Sequence, residues 1–238
     1  MPQVISYGVD ADEARRFGLP CGGTMRLVQE PLTVDSGLDA LLPKLEQGEI
    51  ITRTLALNTG KASLRTANKG EVLSCDDLQF LNVFGPRYRL LIIGAGQIGE
   101  LLARIALTLD FSVTVCDPRA EYQDEWSVDN VTRVRTMPDD TVTAMRADAR
   151  MAVVALTHDP KLDDLALMEA LASPAFYVAA LGSQLNNDQR RERLLEFDLD
   201  ETQIARLFGP AGLNIGSHTP AEIAVAIAAQ LVAVRNGL

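Results

Sequence analysis

The stretch Gly94-Ala95-Gly96-Gln97-Ile98-Gly99 constrains the fold more than any other part of this 238-residue chain. A G-x-G-x-x-G pattern is weak alone and gains its meaning from what flanks it. Before it stands Arg89-Leu90-Leu91-Ile92-Ile93, apolar enough for a buried strand. After it, Gln97 to Asp110 carries Ile98, Leu101, Leu102, Ile105, Ala106 and Leu109 at helical spacing. Strand, glycine turn and helix in that order form a phosphate cradle. Gly94 permits the tight turn, Gly96 lets a pyrophosphate approach the backbone, and Gly99 lets the helix pack on the strand. The helix start, at Gln97 and Ile98, supplies free N–H groups and a partial positive charge.

The pattern beyond this unit predicts a doubly wound domain over residues 88–238. Strands are expected at Ser112 to Cys116, Val131 to Arg135, Ala152 to Leu156 and Phe176 to Leu181. Helices are expected at Pro160 to Leu171 and Asp188 to Leu194. Thr219-Pro220-Ala221-Glu222 reads as a capping box that opens a last helix. The fold class is therefore α/β, a Rossmann-like parallel sheet with helices on both faces. In such a sheet the carboxyl ends of the strands share one edge, and ligands bind there. That edge collects Gly94, Gly96, Gln97, Ile98, Gly99, Asp117, Arg119, Thr157, His158, Gly182 and Ser183 as candidate cofactor-binding residues. Asp117 is placed to bond a ribose hydroxyl, and Arg119 could contact a phosphate instead. Asp159 reads as a cap for the helix after it. His158 and Ser183 fit either a ligand contact or a local structural bond. Gly212, in Gly212-Leu213-Asn214-Ile215-Gly216, implies close approach to a ligand or to another loop.

Residues 1–84 read as a smaller α+β domain, bounded by Phe84-Gly85-Pro86-Arg87. Strands are expected at Val4 to Tyr7, Thr24 to Glu30, Glu49 to Leu57 and Glu71 to Phe84. Helices are expected at Asp10 to Phe17 and Leu38 to Leu45. No closed core is evident in this half. Gly18-Leu19-Pro20-Cys21-Gly22-Gly23 sets a thiol among residues with little bulk, with Arg15, Arg16 and Arg26 nearby in sequence. Cys21 is thus the candidate functional thiol, with Gly22 and Gly23 as candidate binding positions. Cys116 reads as a core residue and Cys75 as a turn residue.

Lys and Arg number 22 against 32 Asp and Glu, a net charge of −10. Such a surface repels duplex nucleic acid and anionic membranes, while a local cluster of N–H groups can still hold a small anion. No apolar run approaches the ~18 residues of a membrane span. The start of the chain lacks the pattern of a signal peptide. Three cysteines without metal spacing and only two histidines argue for a reducing cytoplasm and against a protein-held metal.

Taken together, Gly18-Leu19-Pro20-Cys21-Gly22-Gly23, Thr157-His158-Asp159-Pro160, Leu181-Gly182-Ser183 with Arg190 and Arg193-Leu194, and Gly209-Pro210-Ala211-Gly212-Leu213-Asn214-Ile215-Gly216 resemble the XdhC/CoxI family. The resemblance covers nearly the whole chain. It implies a maturation factor for xanthine dehydrogenase and carbon monoxide dehydrogenase type molybdoenzymes. Such a protein binds the molybdenum cofactor (molybdopterin) and assists its sulfuration with a cysteine desulfurase. It delivers the product to the apo-enzyme and acts as a homodimeric chaperone rather than an enzyme. The family usually carries a further N-terminal segment with a Ser-Gly-Gly-Cys type motif. Residues 1–84 are therefore expected to form an incomplete version of its N-terminal domain. The glycine turn with Asp117 leaves two other readings open: an NAD(P)-dependent oxidoreductase, for which only His158 offers an acid or base, and a nucleotide-sensing module.

Overall fold

The computed structural model describes every residue except 9, 10, 17, 19–23, 48, 69, 70, 86 and 198. Contacts gather the chain into two units, Met1–Pro86 and Arg87–Leu238. In the first, β1 (Gln3–Tyr7) and β2 (Met25–Gln29) pair antiparallel, with α1 (Ala11–Arg16) between them in the chain. A 3-10 turn at Val34–Ser36 leads into α2 (Leu38–Glu46). The strands β3 (Ile51–Ala56), β4 (Ala62–Thr66), β5 (Ser74–Cys75) and β6 (Gln79–Phe84) follow. They form an antiparallel sheet in the order β4-β3-β6-β5.

The expected strand from Glu71 to Phe84 is a hairpin instead. Asp76 Oδ1 accepts hydrogen bonds from the N–H groups of Leu78 and Gln79, which turns the chain back on itself. Cys75 accordingly lies in β5 rather than in the turn. The edge strand β4 was not expected, because its small and polar residues carry no apolar alternation. Ala14, Leu41, Ile51 and Leu55 are buried in this unit. Arg53 of β3 is buried with them. Its guanidinium donates to the Ser36 carbonyl and the Glu30 carboxylate, so its charge is compensated.

In the second unit, strands and helices alternate. They are β7 (Arg89–Ile93), α3 (Gln97–Thr108), β8 (Ser112–Cys116), α4 (Ala120–Asp124), β9 (Thr132–Val134), α5 (Pro138–Ala144), β10 (Met151–Ala155), α6 (Pro160–Ala172), β11 (Tyr177–Ala180), α7 (Gln184–Leu195), α8 (Glu201–Ile204), β12 (Leu207–Phe208) and α9 (Pro220–Arg235). The sheet is parallel throughout, in the order β12-β11-β10-β7-β8-β9. This is a Rossmann-type fold. Successive residues of each strand point to opposite faces. Leu90, Ile92, Val113, Val115, Ala152 and Val154 meet Leu102, Ala103 and Ala106 of α3 and Ile227 and Leu231 of α9. Leu91, Ile93, Val153 and Ala155 meet Val142 of α5 and Ala166, Leu167, Ala170 and Leu171 of α6. Burial on both faces explains why these strands read as continuous apolar runs.

Helix α9 lies along α3. Their C-terminal ends meet where the Arg235 guanidinium stands 5.4 Å from the centre of the Phe111 ring. The capping box at the start of α9 is formed, with Thr219 accepting from the Glu222 N–H and Glu222 accepting from the Thr219 N–H. Among the described residues, no helix is long and apolar enough to cross a membrane.

Gly99 fixes how closely α3 sits on its turn. A Cβ there would stand 2.5 Å from the Gly94 carbonyl oxygen. Gly99→Ala must push the helix away from the strand. We expect it to cost about 2 kcal/mol of stability, read from urea unfolding. An unchanged midpoint would contradict this packing.

Candidate functional site

The strand order sets the place. β7 and β10 are neighbours, but the helices that follow them, α3 and α6, cover opposite faces of the sheet. The chain therefore parts above the carboxyl ends of β7 and β10 and leaves a crevice, the switch point at which doubly wound folds take ligands. The glycine turn after β7 forms one wall. Gly94 has φ +111°, a conformation few side chains adopt, and a Cβ on it would touch the backbone of Leu156 and Thr157 at 3.0 Å. The turn is thus pressed against the loop after β10. Gly96 differs, for its φ is −85° and a Cβ there would meet nothing within 4 Å. It faces open space at the first turn of α3. No side chain caps this helix start, which leaves the N–H groups of Gly96, Gln97 and Ile98 directed outward. By contrast α6, α7 and α9 each begin under a side-chain cap, from Asp159, Ser183 and Thr219.

Asp117 stands at the end of β8 with no exposed surface. Its Oδ2 accepts from the Ala95 N–H at 2.9 Å and from Arg119 Nη2 at 2.8 Å. Its Oδ1 accepts from Arg119 Nε at 2.8 Å and from the Arg119 N–H at 3.1 Å. The sequence places this acid against a ribose hydroxyl, whereas the structure turns it inward to brace the glycine turn and Arg119. Burial pushes its pKa up, but the bonds from Arg119 and Ala95 together pull harder and leave it below the ordinary value. The sign follows. A depressed carboxylate adds stability above its unfolded pKa, and that stability is lost as pH falls through the lower folded value. Asp117→Asn should therefore show a shallower loss of stability than the parent chain below about pH 4. Parallel acid-unfolding curves would contradict this.

The loop after β10 is equally specified. Thr157 is buried, and its N–H and hydroxyl both donate to Asp163 Oδ1, at 3.1 and 2.7 Å. Its Oγ1 also accepts from the Asp159 N–H, which winds the chain tightly. His158, at the outside of this turn, has φ +60° and an exposed side chain that bonds to no described residue. The bends at Gly182 and Ser183 share the same sheet edge, one strand further on. The Ser183 hydroxyl accepts from the Asn186 N–H as the cap of α7. Gly212 approaches a helix, not a ligand. A Cβ there would meet the backbone of Ala226 and Ile227 at 3.0 Å, and its N–H donates to Gln230 of α9. Cys21, Gly22 and Gly23 lie outside the described residues. Cys116 is buried beside Thr136 and Thr141, as a core thiol. A hollow of about 290 Å³ lined by Trp126 to Val131 and Arg133 lies before β9, at the opposite edge of the sheet from the crevice. No group of three or more metal-binding side chains occurs among the described residues.

Residues 90–231 match the family described as the XdhC Rossmann domain. The chain belongs to that family. Among relatives, it is 28% identical over 158 residues to a Bacillus subtilis protein named as a probable subunit of xanthine dehydrogenase. The match takes in 66% of this chain and 46% of that one. It is 23% identical over 226 residues to the molybdenum cofactor insertion chaperone PaoD of Escherichia coli, across 91% of this chain and 61% of PaoD. The chain thus spans about half the length of these relatives. A crystal structure of a Bacillus halodurans protein, named a xanthine dehydrogenase, superposes with a TM-score of 0.70 at 23% identity. That match covers 98% of this chain and 75% of the other, and it shows a shared fold.

Within this XdhC domain, the sequence reading named Arg190 only as part of the resemblance and did not foresee its buried polar network. Arg190 of α7 is buried. It donates to Leu181 O at 3.1 Å, Asn187 Oδ1 at 2.7 Å, Asp164 Oδ1 at 3.2 Å and Asp163 Oδ2 at 3.3 Å. Asp163 holds Thr157, and the buried Asn187 donates to Gly182 O and Ser183 O while packing on Gly209. One guanidinium therefore ties together the loops that follow β10, β11 and β12. Burial raises the Asp163 pKa, against the lowering pull of Thr157 and Arg190. The available signal was Asp163-Asp164, two acids in a helix with apolar residues on every side.

Proposed function

We propose that this XdhC chain binds the molybdenum cofactor through its phosphate-bearing tail. On this reading it assists the sulfuration of the cofactor together with a cysteine desulfurase, and its insertion into a xanthine dehydrogenase-type molybdoenzyme. The cofactor is its cargo. The observation that carries the reading is Gly96, which opens onto free space beside uncapped N–H groups at the switch point. Those donors suit a phosphate, and the backbone supplies them inside a chain of net charge −10. Family membership and the name of PaoD favour this cargo over other phosphorylated ligands. Residues 1–84 act in this reading as an XdhC/CoxI-type N-terminal domain, with Cys21 as its candidate functional thiol. The engaged and buried Asp117 counts against the NAD(P)-dependent oxidoreductase reading, because it leaves no acid for a ribose diol. The test is retention of molybdopterin by the purified chain on gel filtration, measured by pterin fluorescence. Passage of the pterin at the free-ligand volume would reject the proposal.

A further inference from the structure

In dinucleotide folds the acid that ends the second strand takes ribose hydroxyls. Here the four lone-pair directions of Asp117 are already filled, two by Arg119 Nε and Nη2 and two by the backbone N–H groups of Ala95 and Arg119. The acid instead fixes Arg119. That guanidinium also lies 4.0 Å from the centre of the Tyr122 ring. It uses two of its five N–H donors on Asp117, and the other three have no partner among the described residues. Its side chain is 25% exposed. Because Ala95 N and Arg119 Nη2 bond to the same oxygen, the guanidinium stands within about 6 Å of the glycine turn. Asp117, first by its hydrogen bond, and more distantly Asp159 keep Arg119 firmly protonated. Asp159 is itself occupied in part by the Lys161 N–H.

We infer that the crevice is built for a ligand with two phosphoryl groups, one at the glycine turn and the other on Arg119, and that it does not grip a ribose diol. The inference rests on the phosphate-binding reading of the glycine turn. A planar guanidinium with a free edge takes a phosphoryl group through paired N–H donors, and its anchorage to Asp117 and Tyr122 orients it beforehand. The second phosphoryl group can come from a diphosphate or from a phosphate on the ribose.

The test is calorimetric titration of the whole chain with AMP, ADP and adenosine 2′,5′-bisphosphate. ADP or the 2′,5′-bisphosphate should bind roughly ten-fold more tightly than AMP, and the one that does so names the source. Arg119→Gln should reduce that preference to within about two-fold. The double variant Asp117→Asn/Arg119→Gln should do the same while removing both charges of the pair together, which protects the fold. Equal affinity for the three probes, or a preference that survives in both variants, would overturn the inference and leave the phosphate cradle standing. Binding of none of them by a folded chain would overturn both.

Discussion

Gly96→Asp is expected to weaken molybdopterin binding roughly 100-fold, a change of about 3 kcal/mol, while the thermal midpoint stays within about 2 °C of the parent chain. The two effects separate for a structural reason. At φ −85° any residue is accommodated, and the new Cβ meets nothing within 4 Å. The carboxylate then occupies the place where the N–H groups of α3 point. It can cap the helix and favour its dipole, contributing about 0.5–1 kcal/mol to stability. The same position places a negative charge where the ligand phosphate must sit. Gly96→Ala adds a methyl group without charge and should weaken binding far less. Gel filtration with pterin fluorescence reads the affinity, and a thermal melt reads the fold. An Asp variant that retains the cofactor as well as the parent chain would remove the glycine turn from the site.

Arg190→Met is expected to cost about 3–5 kcal/mol, or a fall of roughly 10 °C in the thermal midpoint. It strands Asp163, which is 1% exposed, leaves Asp164 with Arg193 as its remaining cation, and takes the donor from the Leu181 carbonyl and Asn187. The loss should depend on pH in a defined direction. Burial already raises the Asp163 pKa, and removing the arginine raises it further. The folded variant then holds a proton that the unfolded chain has released, so its stability falls as pH rises through the folded value. Melts of the variant at pH 5 and pH 8 should differ more than those of the parent chain. Adding Asp163→Asn should recover part of the loss, since the stranded charge is then gone. A variant that melts like the parent at both pH values would refute the role of this network.

Much of the second unit was legible in the chain because its strands are buried on both faces. Arg89–Ile93 and Ser112–Cys116 are the strands that their apolar runs predict. Helix α3 follows its periodicity, and Asp159 caps α6 as its place before Pro160 implies, whereas α7 begins at Gln184, ahead of the expected start at Asp188. The short elements α4, α5, α8 and β12 did not announce themselves, for two to seven residues cannot establish a period. The same limit hid β4 and the hairpin at Asp76. Within the site, glycine spacing located the turn but not the partners of its side chains. Asp117 faces inward because Arg119 and Ala95 satisfy it, a three-dimensional fact that leaves no trace in spacing. Gly212 shows the converse. A glycine marks a close approach without naming the neighbour, and here the neighbour is α9.

The central place of β7 also governs when a growing chain acquires its crevice. On the ribosome the glycine turn emerges with β7 and α3, yet its opposite wall waits for Met151–Ala155 and Thr157 to be made and to pair in register. Ile227 and Leu231, which cover part of the apolar surface of α3, arrive only with the closing helix. A product halted before Pro220 would carry the phosphate motif and still expose Leu102, Ala103 and Ala106 to water. Such an intermediate invites general chaperones and proteases. Under the proposed function, loading with cargo would wait until these elements are in place.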